Sequence, residues 1–229
     1  MSISDKDVIF EDNHLIAINK RGGDIVQVDV TGDLSLEDMV KEYLAKKYDK
    51  PNAAFLGVIH RLDRPVSGMI LFAKTSKALD RMNRLFHDRK VEKTYLAVVR
   101  EQPPKEADKL VNWLLRDRKK MITKAYNREV KNGSRAELDY RVIGELNGFY
   151  LLEVKPLTGR THQIRAQLAY MGCPIVGDNK YGYQRGSHQR TICLHSRSLG
   201  FEHPVKQEAT LLKANLPTDG FWEKFNSLL

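Results

Sequence analysis

Asp63 stands out among the acids of this 229-residue chain because Arg61 and Arg64 flank it and the wholly apolar run Met69 to Ala73 follows closely. Lost hydration pushes a carboxylate at a core edge towards its neutral form, and a cation held close keeps it ionised and nucleophilic at neutral pH. The same residues permit a plainer role, in which Asp63 caps a turn or pairs with Arg61. A second group lies in the string Thr158-Gly159-Arg160-Thr161-His162-Gln163-Ile164-Arg165, which reads as a turn running into a helix. Arg165 falls in the first turn of that helix, where a cation opposes the helix dipole unless an anion is near. It therefore requires a carboxylate or phosphate, and Arg160 adds a second guanidinium at a junction rich in polar donors. An exposed arginine on a helix surface is the commoner use of such a residue in general, but the several donors crowded into these eight residues disfavour it here.

Other chemistries find no support in the residue spacing. No His-x-x-x-His or Cys-x-x-Cys occurs, so no metal ligand set is expected. Cys173 and Cys193 match no paired metal spacing and read as ordinary thiols in a reducing cytosol. His60-Arg61-Leu62-Asp63 faintly resembles a kinase catalytic loop, but it has an extra residue, lacks the downstream Asn and has no glycine-rich loop upstream. No stretch approaches the roughly 18 apolar residues of a membrane span, and MSISDKDVIF lacks a signal-peptide pattern. A cytoplasmic location is expected.

The net charge of +9 is unevenly placed. Residues 1 to 38 hold nine acids against three bases, so the remainder carries +15, and residues 116 to 135 hold eight Lys/Arg against two acids. Those basics, among them Lys119, Lys120 and Lys124, are interleaved with Met121, Ile122 and Tyr126. Such a stretch fits a polyphosphate partner, and it equally fits a solvated loop that keeps the protein soluble.

The elements that must position these residues are legible from periodicity. Residues 7 to 19 read as a hairpin about Glu11-Asp12-Asn13. Ser35 opens a helix with Leu36, Met39, Val40, Tyr43 and Leu44 on one face, and Thr75 or Ser76 opens another with Leu79, Met82, Leu85 and Phe86 inward. Met69 to Ala73 reads as a strand buried on both faces. Lys93 to Arg100, 135 to 143 and 149 to 156 read as further strands. A short helix starts near Thr161, buries Ile164, Leu168 and Met171, and ends at Gly172 in a left-handed cap. In the tail, Asp219 caps a segment that turns Phe221, Trp222, Phe225 and Leu228 inward. Irregular alternation, short hairpin turns and no internal repeat predict an α+β domain with a largely antiparallel sheet.

Several blocks, in order and well spaced, then carry a resemblance: EDNHLIAINK at 11 to 20, HRLDRPVSGMILFAKT at 60 to 75, EKTYLAVV at 92 to 99, LTGRTHQIRAQLAYMGCPIVGDNKYG at 157 to 182 and LHSRSLGFEHP at 194 to 204. Together they span nearly the whole chain from residue 8, and the chain resembles pseudouridine synthases of the RluA type. The resemblance implies a pseudouridine synthase-like α+β fold, a mixed and largely antiparallel sheet flanked by helices with a central RNA-binding cleft. It implies one catalytic domain over 1–229, with no separate N-terminal RNA-binding domain.

The resemblance also implies an isomerase that converts specific uridines of ribosomal or transfer RNA to pseudouridine, with base flipping and without cofactor or metal. It maps the catalytic aspartate onto Asp63, the active-site tyrosine onto Tyr95, the aspartate's arginine partner onto Arg165 and the base-displacing arginine onto Arg61. Lys20, Arg64, Arg160, Lys119, Lys120 and Lys124 are expected to hold RNA phosphates, and a monomer is expected. Two departures stand out: Asn19-Lys20-Arg21-Gly22-Gly23 where the family has Asn-Lys-Pro-x-Gly, and Val66-Ser67-Gly68 where it has Thr-Ser-Gly. The rival readings are a catalytically silent RNA-binding protein and a nucleic-acid hydrolase; the intact Asp63, Tyr95 and Arg165 set opposes the first, and the lack of a carboxylate cluster opposes the second.

Overall fold

The computed structural model describes residues 2–28, 32–49, 55–184 and 191–229. Its strands are β1 (Val8–Glu11), β2 (Leu15–Lys20), β3 (Gly57–Val58), β4 (Ser67–Ala73), β5 (Glu92–Val99), β6 (Ala107–Asp117), β7 (Ile122–Tyr126), β8 (Ser134–Leu146), β9 (Phe149–Pro156), β10 (Leu194–Glu202) and β11 (Ala209–Lys213). Its α-helices are α1 (Leu36–Lys47), α2 (Ser76–His87) and α3 (Gln163–Tyr170). Two compact units form, one from residues 1–92 with 196–216, the other from 93–195 with 217–229.

In the first unit β1, β2 and β4 form an antiparallel ladder in which Leu15 faces Ala73 and Lys20 faces Gly68. β10 follows β4 in strand order and pairs antiparallel with β11. Alternation along β2 and β4 sends Leu15, Ala17, Met69, Leu71 and Ala73 to the face packed by Ala78 and Met82 of α2. Ile16, Ile18, Ile70 and Phe72 go to the opposite face, against Leu36, Met39, Val40 and Leu44 of α1. A helix on each face explains why β4 is apolar throughout, as the sequence predicted. Both caps are as expected: the Ser35 and Thr75 hydroxyls accept the backbone N–H groups of Asp38 and Ala78 at 3.2 Å each.

The second unit is an antiparallel sheet in the order β5-β9-β8-β6-β7. Asn147 and Gly148, both at positive φ, make the tight β8–β9 turn. Leu114, Ala136 and Ala166 form a small core between this sheet and α3. The stretch 116 to 135, open to a reading as a loop, is partly strand: it contains the end of β6, all of β7 and the start of β8, with turns between them. Ladder hydrogen bonds override the weak local propensity of a lysine-rich segment here. The tail's Trp222 and Phe225 are buried, and Asp219 accepts the N–H groups of Phe221 and Trp222 at 3.1 and 3.0 Å. The element formed over Trp222–Leu228 is a 3-10 helix.

Gly68, at the start of β4, has φ +108, and a Cβ there would collide with the backbone of Ser196 in β10. Gly172 also has positive φ, +91, but nothing lies within 4 Å of the position its Cβ would take. Gly172→Ala should therefore cost only backbone strain, about 1 kcal/mol, whereas Gly68→Ala should cost well above about 2 kcal/mol because strand separation adds to strain. Urea unfolding of both variants checks this; equal losses would contradict the close approach at Gly68.

Candidate active site

The loop from His60 to Val66 joins β3 to β4 and carries Asp63. Each end of it is fastened. The His60 ring stacks on Phe86 of α2, centroids 5.1 Å apart, and its Nε2 accepts the N–H of Leu71 at 3.0 Å. The Val66 N–H donates to the Asp63 carbonyl at 3.0 Å, closing a turn through Arg64 and Pro65. Val66 itself is buried, so the family position occupied here by Val takes an apolar contact. Leu62 packs towards the α1-side core, Asp63 is half-buried and Arg61 is exposed. An outward guanidinium thus sits two residues from a sheltered carboxylate.

The segment after β2 grips this loop. Lys20 Nζ donates to the carbonyls of Arg21 and Arg64 at 2.8 and 3.1 Å, the Gly23 N–H donates to the Arg64 carbonyl at 2.7 Å, and Arg64 Nε donates to the Gly23 carbonyl at 3.0 Å. Lys20 is only 1% exposed, which corrects the expectation that it holds an RNA phosphate: its ammonium is spent on backbone carbonyls inside the unit. Arg64 also pairs with Asp33 at 2.7 Å, so its guanidinium is engaged within the unit even though a third of its side chain reaches solvent. Arg21 binds the Asp7 carboxylate at 3.0 and 3.1 Å, which gives that departure from the family pattern a structural role.

Tyr95 and Arg165 belong to the second unit. Tyr95 lies on β5 opposite Val154 of β9 and is half-buried. Arg165, 4% exposed, is in the first turn of α3, whose N-cap His162 adopts a left-handed conformation at φ 54. Its need for an anion is met by a residue that the sequence reading did not single out: Asp178 accepts from Nε at 2.7 Å and from Nη2 at 2.9 Å, and is 1% exposed. The Tyr181 ring lies 4.9 Å from the guanidinium carbon. Asp178 and Tyr181 sit in the recognised 157 to 182 block, but no periodicity or capping rule flags them; the Gly177-Asp178-x-x-Tyr181 spacing was the available signal.

Arg160 is exposed, and its Nε donates to the Arg135 carbonyl at 3.3 Å. Arg118, Lys119, Lys120 and Lys124 are all exposed on the β6–β7 hairpin, which turns at residues 118 to 121. Among the described residues no ion pair engages these four. Thr123 roots the hairpin by donating its hydroxyl to the Thr161 carbonyl at 3.0 Å. Lysines 119, 120 and 124 and Arg160 thus lie on one unit, near a shared root. Among the described residues no helix is long and apolar enough to cross a membrane.

Residues 14–170 match the family model described as RNA pseudouridylate synthase. A relative from Rickettsia bellii, "Ribosomal large subunit pseudouridine synthase C", is 34% identical over 213 residues, which cover 92% of this chain and 68% of the relative. Among solved structures, "Human RNA Pseudouridylate Synthase Domain Containing 4" aligns with a TM-score of 0.78 at 25% identity, covering 97% of this chain and 93% of that one. "Human RNA Pseudouridylate Synthase Domain Containing 1" aligns at 0.71 and 21% identity, covering 100% and 97%. The fold class expected from the sequence is the one these neighbours share.

Burial pushes the Lys20 ammonium down to about 8; Asp24 and Asp63 oppose that shift and Arg64 adds to it. The unfolded lysine keeps its proton to about 10.5, so between those values the unfolded chain binds more protons and folding gains as pH rises. Below that window the buried charge withholds about 3 kcal/mol. The stability of the parent protein relative to Lys20→Met should therefore increase between about pH 7.5 and about pH 10, as read by urea unfolding. A pH-independent difference would show that Lys20 titrates normally.

Proposed function

Because the chain belongs to the RNA pseudouridylate synthase family, and is thus an isomerase acting on uridine in RNA, we propose that it converts specific uridines of ribosomal RNA to pseudouridine with Asp63 as its catalytic carboxylate. The observation that carries this reading is the fastened loop: a half-buried carboxylate on an immobilised turn, with an exposed arginine two residues away. The name of the Rickettsia relative favours ribosomal over transfer RNA.

The reaction breaks the bond between uracil N1 and ribose C1′, turns the base, joins C5 to C1′ and releases the C5 proton, while N1 ends protonated. Atoms and electrons balance with nothing added, so the protein's task is to hold the detached base and to supply charge and a proton acceptor. Asp63 acts on the ribose or the base. Tyr95 offers a ring for the uracil and takes or relays the C5 proton. Arg165 supplies a cation whose orientation Asp178 has already set.

The target uridine must leave its stack, at a cost of about a few kcal/mol that other contacts offset. Arg61, outward on the same loop, fills the vacated space. Arg160 and the hairpin lysines 119, 120 and 124 hold phosphates, and their exposure suits that role.

RNA carrying tritium at uracil C5 tests the chemistry directly. The parent protein should release tritium to water, in EDTA as in its absence, while Asp63→Asn should bind the RNA and release none. Equal release by both would refute the assignment of Asp63. For the hairpin, replacing Lys119, Lys120 and Lys124 with Ala should weaken RNA binding and lower the slope of log affinity against log salt by about 2 to 3. An unaltered slope would make the hairpin a bystander.

A further inference from the structure

The Arg165 guanidinium is held on an edge and on a face by residues of one short turn. Asp178 takes the Nε–Nη2 edge through two hydrogen bonds of 2.7 and 2.9 Å. Tyr181 covers the flat face at 4.9 Å, and its backbone N–H donates to the Asp178 carbonyl at 3.0 Å, so ring and carboxylate are offered by a single backbone unit. The Tyr181 hydroxyl in turn accepts the N–H of Thr123 at 2.8 Å and lies 2.8 Å from Nδ1 of His162, the N-cap of α3. Thr123 is the root of the basic hairpin.

This arrangement is a poor way to stabilise a fold. A fully buried ion pair returns little over an apolar pair of the same shape, because both charges lose hydration. What it does well is orient. An edge-on bidentate carboxylate fixes the plane of a guanidinium, and a stacked ring blocks its tilt. We propose that Asp178 and Tyr181 are positioning residues for the isomerisation: they hold Arg165 in one orientation, and the Tyr181 hydroxyl joins that arrangement to the root of the RNA-binding hairpin. The proposal rests on the reading that Arg165 serves the reaction.

The test is single-turnover tritium release, RNA affinity and thermal melting for Asp178→Asn, Tyr181→Leu and Tyr181→Phe, each alone and with Arg165→Lys, which keeps the charge but loses the planar fork. Asp178→Asn and Tyr181→Leu should each slow release by about tenfold or more with RNA affinity within about threefold of the parent. Tyr181→Phe keeps the ring and should slow release by only about threefold. Beside Arg165→Lys the same changes should add less than about twofold, because the fork they position is gone. Losses of equal size in both backgrounds overturn the proposal, since they would report local packing alone. So does full release by Asp178→Asn and Tyr181→Leu beside a slow Arg165→Lys, an outcome that leaves the reading of Arg165 intact. Full release by Arg165→Lys would remove that reading itself. Should Asp178→Asn fail to melt cooperatively, the order of Tyr181→Leu below Tyr181→Phe decides, and equal rates for those two overturn the proposal.

Discussion

The buried ammonium of Lys20 carries the arrangement of the first unit. A charge removed from water costs about several kcal/mol unless its donors are matched, and here the matching groups are the carbonyls of Arg21 and Arg64, one at the end of β2 and one beside Asp63. Satisfying the lysine therefore specifies where the Asp63 loop must lie. The exchange of hydrogen bonds between Gly23 and Arg64 repeats the constraint. Behind the loop, β4 is buried on both faces and meets β10 so closely at Gly68 that no side chain fits, leaving the loop little room to shift.

The second unit uses the same physics with the opposite geometry. Lys20 donates to backbone, which secures a loop; Arg165 donates to the Asp178 side chain, which secures a guanidinium. In both, a costly buried cation is retained where an apolar residue would stabilise as well, and what is obtained is orientation. Preset charge is what an isomerisation needs, since no reagent enters the reaction and rate must come from groups already in place.

The uneven charge of the chain follows from this division of labour. Several acids of the first 38 residues enter ion pairs of the first unit, among them Asp7 with Arg21, Glu11 with Lys47 and Lys74, Asp33 with Arg64, and Glu37 with Lys41. They neutralise local cations, while the β6–β7 hairpin keeps an excess of positive charge over its own Asp117. A basic hairpin rooted beside the Arg165 turn is suited to drawing a polyanion towards that unit, with a strong dependence on salt.

The sequence by itself determined the elements whose signal is local or periodic. The Ser35 and Thr75 caps, the two-faced apolar β4, the hairpin of β1 and β2 and the Gly172 cap all follow from hydrogen-bonding and burial rules within a few residues. The family blocks named Asp63, Tyr95 and Arg165 as candidates. Tertiary structure alone decided which partners those residues have. Lys20 and Arg64 are 44 residues apart, so nothing local shows that the lysine faces a carbonyl and not a phosphate. Asp178 is 13 residues beyond Arg165, past the end of its helix, where no helical spacing predicts contact. The β6–β7 hairpin is lysine-rich at its tip; its strands pair with each other from Trp113 opposite Tyr126 to Asp117 opposite Ile122, and β8 pairs with β6 only as far as Leu114. The two units each draw on separated stretches of chain, so no single cut in the sequence reveals them. Propensity acts over one turn or one strand, whereas partner choice depends on which distant segments the burial of apolar faces brings together.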